Sequence, residues 1–298
     1  MKVNRFLLEL LYRKLLKKVT NEIKNVPNLN EFPSTLDIPF KDDGLFNHKF
    51  DVIKAVENRN NICLLNIHGG AYMFSTHRNN YYFVTKFVAR GFDAVTLDYL
   101  PNNGKRDTLD LVKDVLDNIQ YVFEHKVELG LENEKFVLSG DSAGGHFALL
   151  ATLIINNKEI QKRFGYDFGD NKIDAVLLSC PVYNYEALGI GMMTNAALKR
   201  MLGPNHKDME QRKLLSPRTY IDTLNIPTLI CTCKNDFLRT ESLTLHEDLL
   251  KRDFKHEFID IDCDEKEIAH IYNVDLPDHP VSKEVNEKWI EFMLKNLQ

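Results

Sequence analysis

No apolar run in this 298-residue sequence suggests a membrane span, and it has neither an internal repeat nor a low-complexity tract. Basic charge is not in excess. Lys and Arg number 38 against 43 Asp and Glu, giving a net charge of −5 and a pI near 6.1, so nothing marks a nucleic-acid surface. Cysteine is scarce and odd in number: five residues scattered along the chain make no disulfide framework and point to a reducing, cytoplasmic setting. Cys231 and Cys233 fall on one face of an apolar strand, and Cys263 lies near the end of the strand expected beside it. Buried free thiols account for them better than a zinc site. With 44% hydrophobic and 27% charged residues the composition is ordinary for a globular protein, and a single domain over residues 1–298 is expected.

The segment Met1–Lys24 comes nearest to a targeting signal. Glu9 interrupts its apolar stretch, Arg13, Lys14, Lys17 and Lys18 follow, and no small-residue cleavage site comes after, which fits a signal peptide poorly. Leu8, Leu11, Tyr12, Leu15, Leu16, Val19 and Ile23 recur at helical spacing and predict an amphipathic helix.

The most informative stretch is Gly140-Asp141-Ser142-Ala143-Gly144. Lys135–Ser139 before it reads as a buried strand, and Ala143–Ile155 after it as a helix packed by Phe147, Leu149, Leu150 and Leu153. A serine on such a sharp strand-to-helix turn exposes its hydroxyl, with the next N–H and the helix N-terminus facing any oxyanion formed there. Side chains at the flanking glycines would crowd the turn. Upstream, the apolar run Asn61–Ile67 leads into His68-Gly69-Gly70-Ala71-Tyr72. Downstream, Asp236 follows the strand expected at Pro227–Cys233, and His270 follows the one at His256–Ile261. A nucleophile, a base and an acid on three strand ends can converge in space. His279 is the rival base, lying in the same connecting region; His246 within a helix and His256 at a strand start are worse placed.

These residues resemble the hormone-sensitive lipase-like branch of the α/β-hydrolase superfamily, over residues 35 to the C-terminus. The match rests on His68-Gly69-Gly70, Asp98-Tyr99-Leu100-Pro101 and Gly140-Asp141-Ser142-Ala143-Gly144-Gly145. There are two departures: Ala71 stands where the branch usually has a third glycine, and Ile271 where a glycine often follows the histidine. Ala71 keeps its N–H, so that change touches pocket shape more than chemistry. The resemblance implies an α/β-hydrolase fold, a mostly parallel central sheet flanked by helices with a small helical cap. Residues 1–34 and 184–216 are the expected cap elements, the second rich in Met192, Met193, Leu198, Met201 and Leu202. Those methionines either fill core gaps or line an acyl pocket. The N-terminal helix could instead lie on an anionic membrane, a reading set below the cap.

The implied activity is serine carboxylesterase chemistry on short acyl esters of small molecules. Ser142 is the expected nucleophile, His270 the base and Asp236 its orienting acid, with the N–H groups of Gly70, Ala71 and Ala143 as the oxyanion hole. His68, Gly69 and Asp141 are read as supports of the oxyanion loop; Asp141 could otherwise cap the following helix. Asp98 is expected to anchor a loop. His77, Glu124, His125 and the run Asp264–Glu267 are expected on the solvated surface. No metal and no organic cofactor is required. An amidase, an aryl formamidase or a lipase would use the same three residues, and a catalytically silent binding protein of this fold is the alternative of another class. The oligomeric state is not indicated.

Overall fold

The computed structural model describes residues 29–131, 135–191 and 193–298. The amphipathic helix expected in Met1–Lys24, and with it most of the first cap element, lies outside the described residues, as does Met192.

Eight strands form one sheet: β1 (Ser34–Pro39), β2 (Lys49–Ile53), β3 (Ile62–Ile67), β4 (Asp93–Leu97), β5 (Lys135–Asp141), β6 (Ala175–Ser179), β7 (Thr228–Cys233) and β8 (His256–Ile261). Their spatial order is β1-β2-β4-β3-β5-β6-β7-β8. β1 pairs with β2 and β2 with β4 in antiparallel sense, and every other pair is parallel. The helices are α1 (Tyr81–Val88), α2 (Thr108–Glu124), α3 (Ala143–Ile155), α4 (Lys158–Phe164), α5 (Asn195–Leu202), α6 (Met209–Leu214), α7 (Arg239–Leu250), α8 (Tyr272–Asp275) and α9 (Pro280–Leu297).

The inner strands β3, β4, β6 and β7 are buried along their whole length, as a parallel sheet between helices requires, while the edge strands β1 and β8 are only partly covered. All six residues of β3 are buried, and alternate ones enter different cores. Ile62 and Leu64 join the cluster to which α1 contributes Phe83 and Phe87 and α9 contributes Trp289. Cys63, Leu65 and Ile67 join the cluster of Leu116 from α2 and Phe147 from α3. Cys231 and Cys233 share one face of β7, in the first of these clusters. All five cysteines are free, and only Cys263 is not fully buried.

The position of the crevice follows from strand order. The chain leaves β3 through α1 to reach β4 on one side, then crosses through α2 to β5 on the other. Connections on opposite faces separate the loops at the carboxyl ends of β3 and β5, where ligands bind in sheets of this kind. Those loops begin at His68 and Ser142. Among the described residues, no helix is long and apolar enough to cross a membrane.

Candidate active site at the carboxyl ends of the strands

Ser142 lies between β5 and α3 with φ 53° and ψ −115°, a conformation that costs energy for any residue with a side chain. The end of β6 holds it from both sides. The Ser142 N–H donates to the Ser179 carbonyl at 2.9 Å, and its carbonyl accepts from the Val182 N–H at 3.2 Å. Glycine makes room for the turn: a Cβ on Gly140 would stand 2.3 Å from the Gly144 carbonyl oxygen, and one on Gly144 would stand 2.1 Å from that of Ile67.

Asp236 follows β7 and is 6% exposed. Its Oδ1 accepts from the Leu238 N–H and its Oδ2 from the Thr232 hydroxyl, both at 2.8 Å. Burial pushes this carboxyl up, but the hydrogen bond and charge of His270, with those two donors, outweigh it and hold the group below its ordinary value. His270, in the loop beyond β8, sets Nδ1 2.6 Å from Asp236 Oδ1 and Nε2 2.9 Å from Ser142 Oγ. An ionised carboxylate only accepts, so the imidazole proton sits on Nδ1 and Nε2 is left to accept from the serine hydroxyl.

The other candidates are engaged elsewhere. His279 caps α9, its Nδ1 accepting from the Val281 N–H at 3.3 Å while Nε2 faces Glu265 and Glu267. His246 and His256 pair with each other at 2.7 Å. Glu241 accepts the N–H groups of Tyr183 and Asn184. Cys180, Asp236 and His270 bring potential metal-ligating atoms within 4.8 Å of one another, but the carboxylate and both ring nitrogens are already committed to the hydrogen bonds just described.

Opposite Ser142, the loop after β3 turns through Gly70, Ala71 and Tyr72 at φ of 111°, 51° and 63°. The Gly70 carbonyl accepts from the N–H groups of Met73 and Phe74, each at 3.0 Å. Asp141 ties this loop to the serine turn. Its carboxylate accepts from the Gly69 N–H at 3.1 Å and from Asn80 Nδ2 at 2.7 Å, and it does not act as the α3 cap, whose N-cap position is Ser142. Burial raises the Asp141 carboxyl above its ordinary value, against the opposing hydrogen bond from Asn80. His68 makes contacts at both ring nitrogens, to the Gly69 carbonyl at 2.8 Å and to Asp98 Oδ1 at 2.9 Å, and stacks on Tyr99.

The expectation that His77 is a solvated surface residue is overturned. It is 1% exposed, with Nδ1 2.6 Å from Asp98 Oδ2 and Nε2 3.1 Å from Asp51 Oδ2. Burial alone would lower its pKa, but the hydrogen bonds to Asp51 and Asp98 carry it up to about 9, so the ring is an imidazolium between two buried carboxylates. Asp98, also bound by His68, is held down at about 2 against the opposing effect of burial. Two aspartates at apolar strands, Asp51 in β2 and Asp98 after β4, were the signal in the sequence that a buried cation lies nearby. His125 is half-buried and stacks on Tyr121, while Glu124 and the Asp264–Glu267 run are exposed.

The segment 184–216 is bound to the side of the site formed by the loop after β3. The Tyr72 hydroxyl donates to His146 Nδ1 at 3.2 Å, and His146 Nε2 donates to the Leu215 carbonyl at 2.7 Å; burial lowers this histidine to about 4 and keeps it neutral. Arg212, 2% exposed, gathers the segment by donating to the carbonyls of Tyr185, Glu186, Leu188 and His206. Met201, Leu198 and Leu202 fill the core here.

A family model described as BD-FAE matches residues 51–249, more than half of the chain, from within β2 to the last turn of α7. The chain belongs to the BD-FAE family. It carries the α/β-hydrolase fold. This BD-FAE member is 28% identical over 181 residues to the protein named Probable carboxylic ester hydrolase LipM of Mycobacterium tuberculosis. That match takes in 59% of this chain and 41% of LipM, so the chain spans less than half the length of the curated relative. Among solved structures, esterase B of Lactobacillus rhamnosis with a tributyrin phosphonate superposes with a TM-score of 0.82 at 17% identity, covering 95% of this chain and 92% of that one. A bacterial heroin esterase gives a TM-score of 0.71 at 16% identity, covering 96% and 93%. These two likenesses are of fold.

Proposed function

We propose that the protein is a serine carboxylic ester hydrolase acting on short acyl esters of small molecules through an acyl-enzyme intermediate. The observation that carries this reading is the continuous hydrogen-bonded chain from Ser142 Oγ through His270 to Asp236, at 2.9 and 2.6 Å. As Ser142 Oγ bonds to the ester carbonyl carbon, its proton passes to His270 Nε2. The carbonyl oxygen takes up the negative charge. Asp236 fixes the tautomer and stabilises the imidazolium without taking the proton. Collapse breaks the acyl C–O bond, and the proton on Nε2 goes to the departing alcohol oxygen. Water then repeats the sequence on the acyl-serine, releasing the acid and restoring the hydroxyl.

The oxyanion is held by the N–H groups of Gly70, Ala71 and Ala143, each worth about 2.7–4 kcal/mol in the transition state. Two observations support that assignment. Among the described residues the N–H groups of Gly70 and Ala71 donate to no other backbone carbonyl outside regular elements, and Ala143 opens α3, where an N–H has no acceptor within the helix. The segment 184–216 acts as a cap. The tie from Tyr72 through His146 to Leu215 brings it against the oxyanion loop, where it bounds the acyl side. A buried methylene is worth only about 0.8 kcal/mol, so a bounded pocket rejects long chains by exclusion rather than by weak affinity.

Initial rates with p-nitrophenyl acetate, butyrate and palmitate, and with p-nitroacetanilide, test this reading. Acetate and butyrate should turn over well, palmitate hardly at all and the anilide far more slowly than the ester. Fast palmitate hydrolysis with activation at a lipid interface would make the protein a lipase, faster anilide cleavage an amidase, and absence of any turnover a binding protein of this fold.

A further inference from the structure

Phe237 is the residue after Asp236, and at 75% it is the most exposed large apolar side chain among the described residues. One face of its ring lies on His270, with centroids 4.1 Å apart and planes inclined by 42°. The other exposed aromatic rings are engaged with cations: Phe46 lies under the Arg78 guanidinium and Tyr82 under the Lys86 ammonium. Phe237 alone among them touches a residue of the Ser142 site.

The backbone that carries it is tightly held. The Asp236 N–H donates to the Cys233 carbonyl at 3.0 Å, the Leu238 N–H to Asp236 Oδ1 at 2.8 Å and the Arg239 N–H to the Asp236 carbonyl at 3.1 Å. Arg239 in turn grips the Asp260 carboxylate of β8 at 3.0 and 2.5 Å. A phenyl ring kept in water on a fixed turn forgoes the gain of burial, and this one does so beside the imidazole of the Ser142 site.

Its position says which part of a substrate it meets. The alcohol oxygen must reach His270 Nε2 to receive its proton, and that nitrogen belongs to the ring Phe237 covers. The group attached to that oxygen therefore leaves across the imidazole edge toward the free part of the phenyl ring. We propose that Phe237 is a specificity-determining platform for the leaving group, and that the esters this protein takes carry an aromatic or similarly flat apolar alcohol. This inference rests on the ester-hydrolase reading and adds the chemistry of the alcohol side. Aromatic rings recognise one another by offset or edge-on contact, which an aliphatic group of two carbons cannot reproduce.

Benzyl acetate and ethyl acetate share the acyl group and both release a primary alcohol, but only the first carries a ring. Phe237→Ala should lower kcat/KM for benzyl acetate by about tenfold, mainly through KM, while ethyl acetate changes by less than about twofold. Phe237→Trp should restore the preference. An equal loss on both esters would overturn the proposal, because it would mean that the ring serves His270, through packing or a cation–π contact with the imidazolium. No change on either would also overturn it. Failure of the unsubstituted protein to hydrolyse either ester, with no fluorophosphonate label on Ser142, would sink the hydrolase reading and this inference together.

Discussion

At the scale of single residues, each role predicts a different loss. Ser142→Ala removes the nucleophile and should cut kcat by about 10⁶, measured with p-nitrophenyl acetate. Asp236→Asn keeps the size of the side chain but offers Nδ1 the wrong partner; turnover should fall by about 10⁴ with the fold retained by circular dichroism. A folded and fully active Asp236→Asn protein would refute the orienting role. His270→Ala should abolish activity while His279→Ala leaves it near normal, because the His279 ring is spent on capping α9 and on Glu265 and Glu267. The reverse pattern would move the base. The places of Ser142 and Asp236 were legible because each follows an apolar run that reads as a buried strand, whereas His270 follows the mixed, partly covered β8 and was placed by chain order after it. Phe237 was not legible as a surface ring: an apolar residue beside Asp236 reads equally well as core, and only the folded turn sets it on the imidazole.

At the scale of elements, residues 179–182 after β6 are the common frame of the site. Ser179 and Val182 hold the Ser142 backbone, and Cys180 Sγ accepts the Ile271 N–H at 3.3 Å, next to His270. Cys180 and Ile271 both lie in the left-handed region, at φ of 46° and 56°, which is costly for a β-branched residue where a relative carrying glycine would have no strain. The N–H···S contact joins the turn that holds Ser142 to the turn that carries His270, so its loss is expected to shift one against the other. Cys180→Ala should lower kcat about tenfold with KM unchanged, and Cys180→Ser should recover most of it, since a hydroxyl oxygen also accepts the N–H. Equal activity in all three proteins would show that the contact positions nothing. Sequence order showed the alternation of strands and helices, and the expected strands lie within a few residues of those observed. It did not show β3 between β4 and β5, because that neighbour relation depends on crossovers that no local pattern records.

At the scale of the whole molecule, Asp51, His77, Asp98 and His68 join β2, the segment before α1 and the end of β4 under the loop after β3. Nothing in the local sequence around His77 distinguishes it from a polar loop; tertiary contact makes it a buried cation. Its pKa rises from 6.5 to about 9 on folding, so the stabilisation it brings is complete below pH 6.5 and drains away as pH rises through 9. The shift corresponds to about 3 kcal/mol. His77→Gln lacks this linkage. The gap in Tm between the two proteins should be widest near pH 6 and narrow steadily to pH 10; a gap independent of pH would show that His77 is not charged in the folded state.

Every step of the proposed reaction depends on Ser142 being a nucleophile activated by His270. Reaction with a fluorophosphonate probe, read by mass spectrometry of the digested protein, tests it most directly, because labelling needs both the serine and its base but no knowledge of the natural ester. One phosphonyl group is expected on the peptide that contains Ser142, none in Ser142→Ala, and labelling slowed by orders of magnitude in His270→Ala. An unlabelled native protein, or a label carried by another residue and kept in Ser142→Ala, would contradict it.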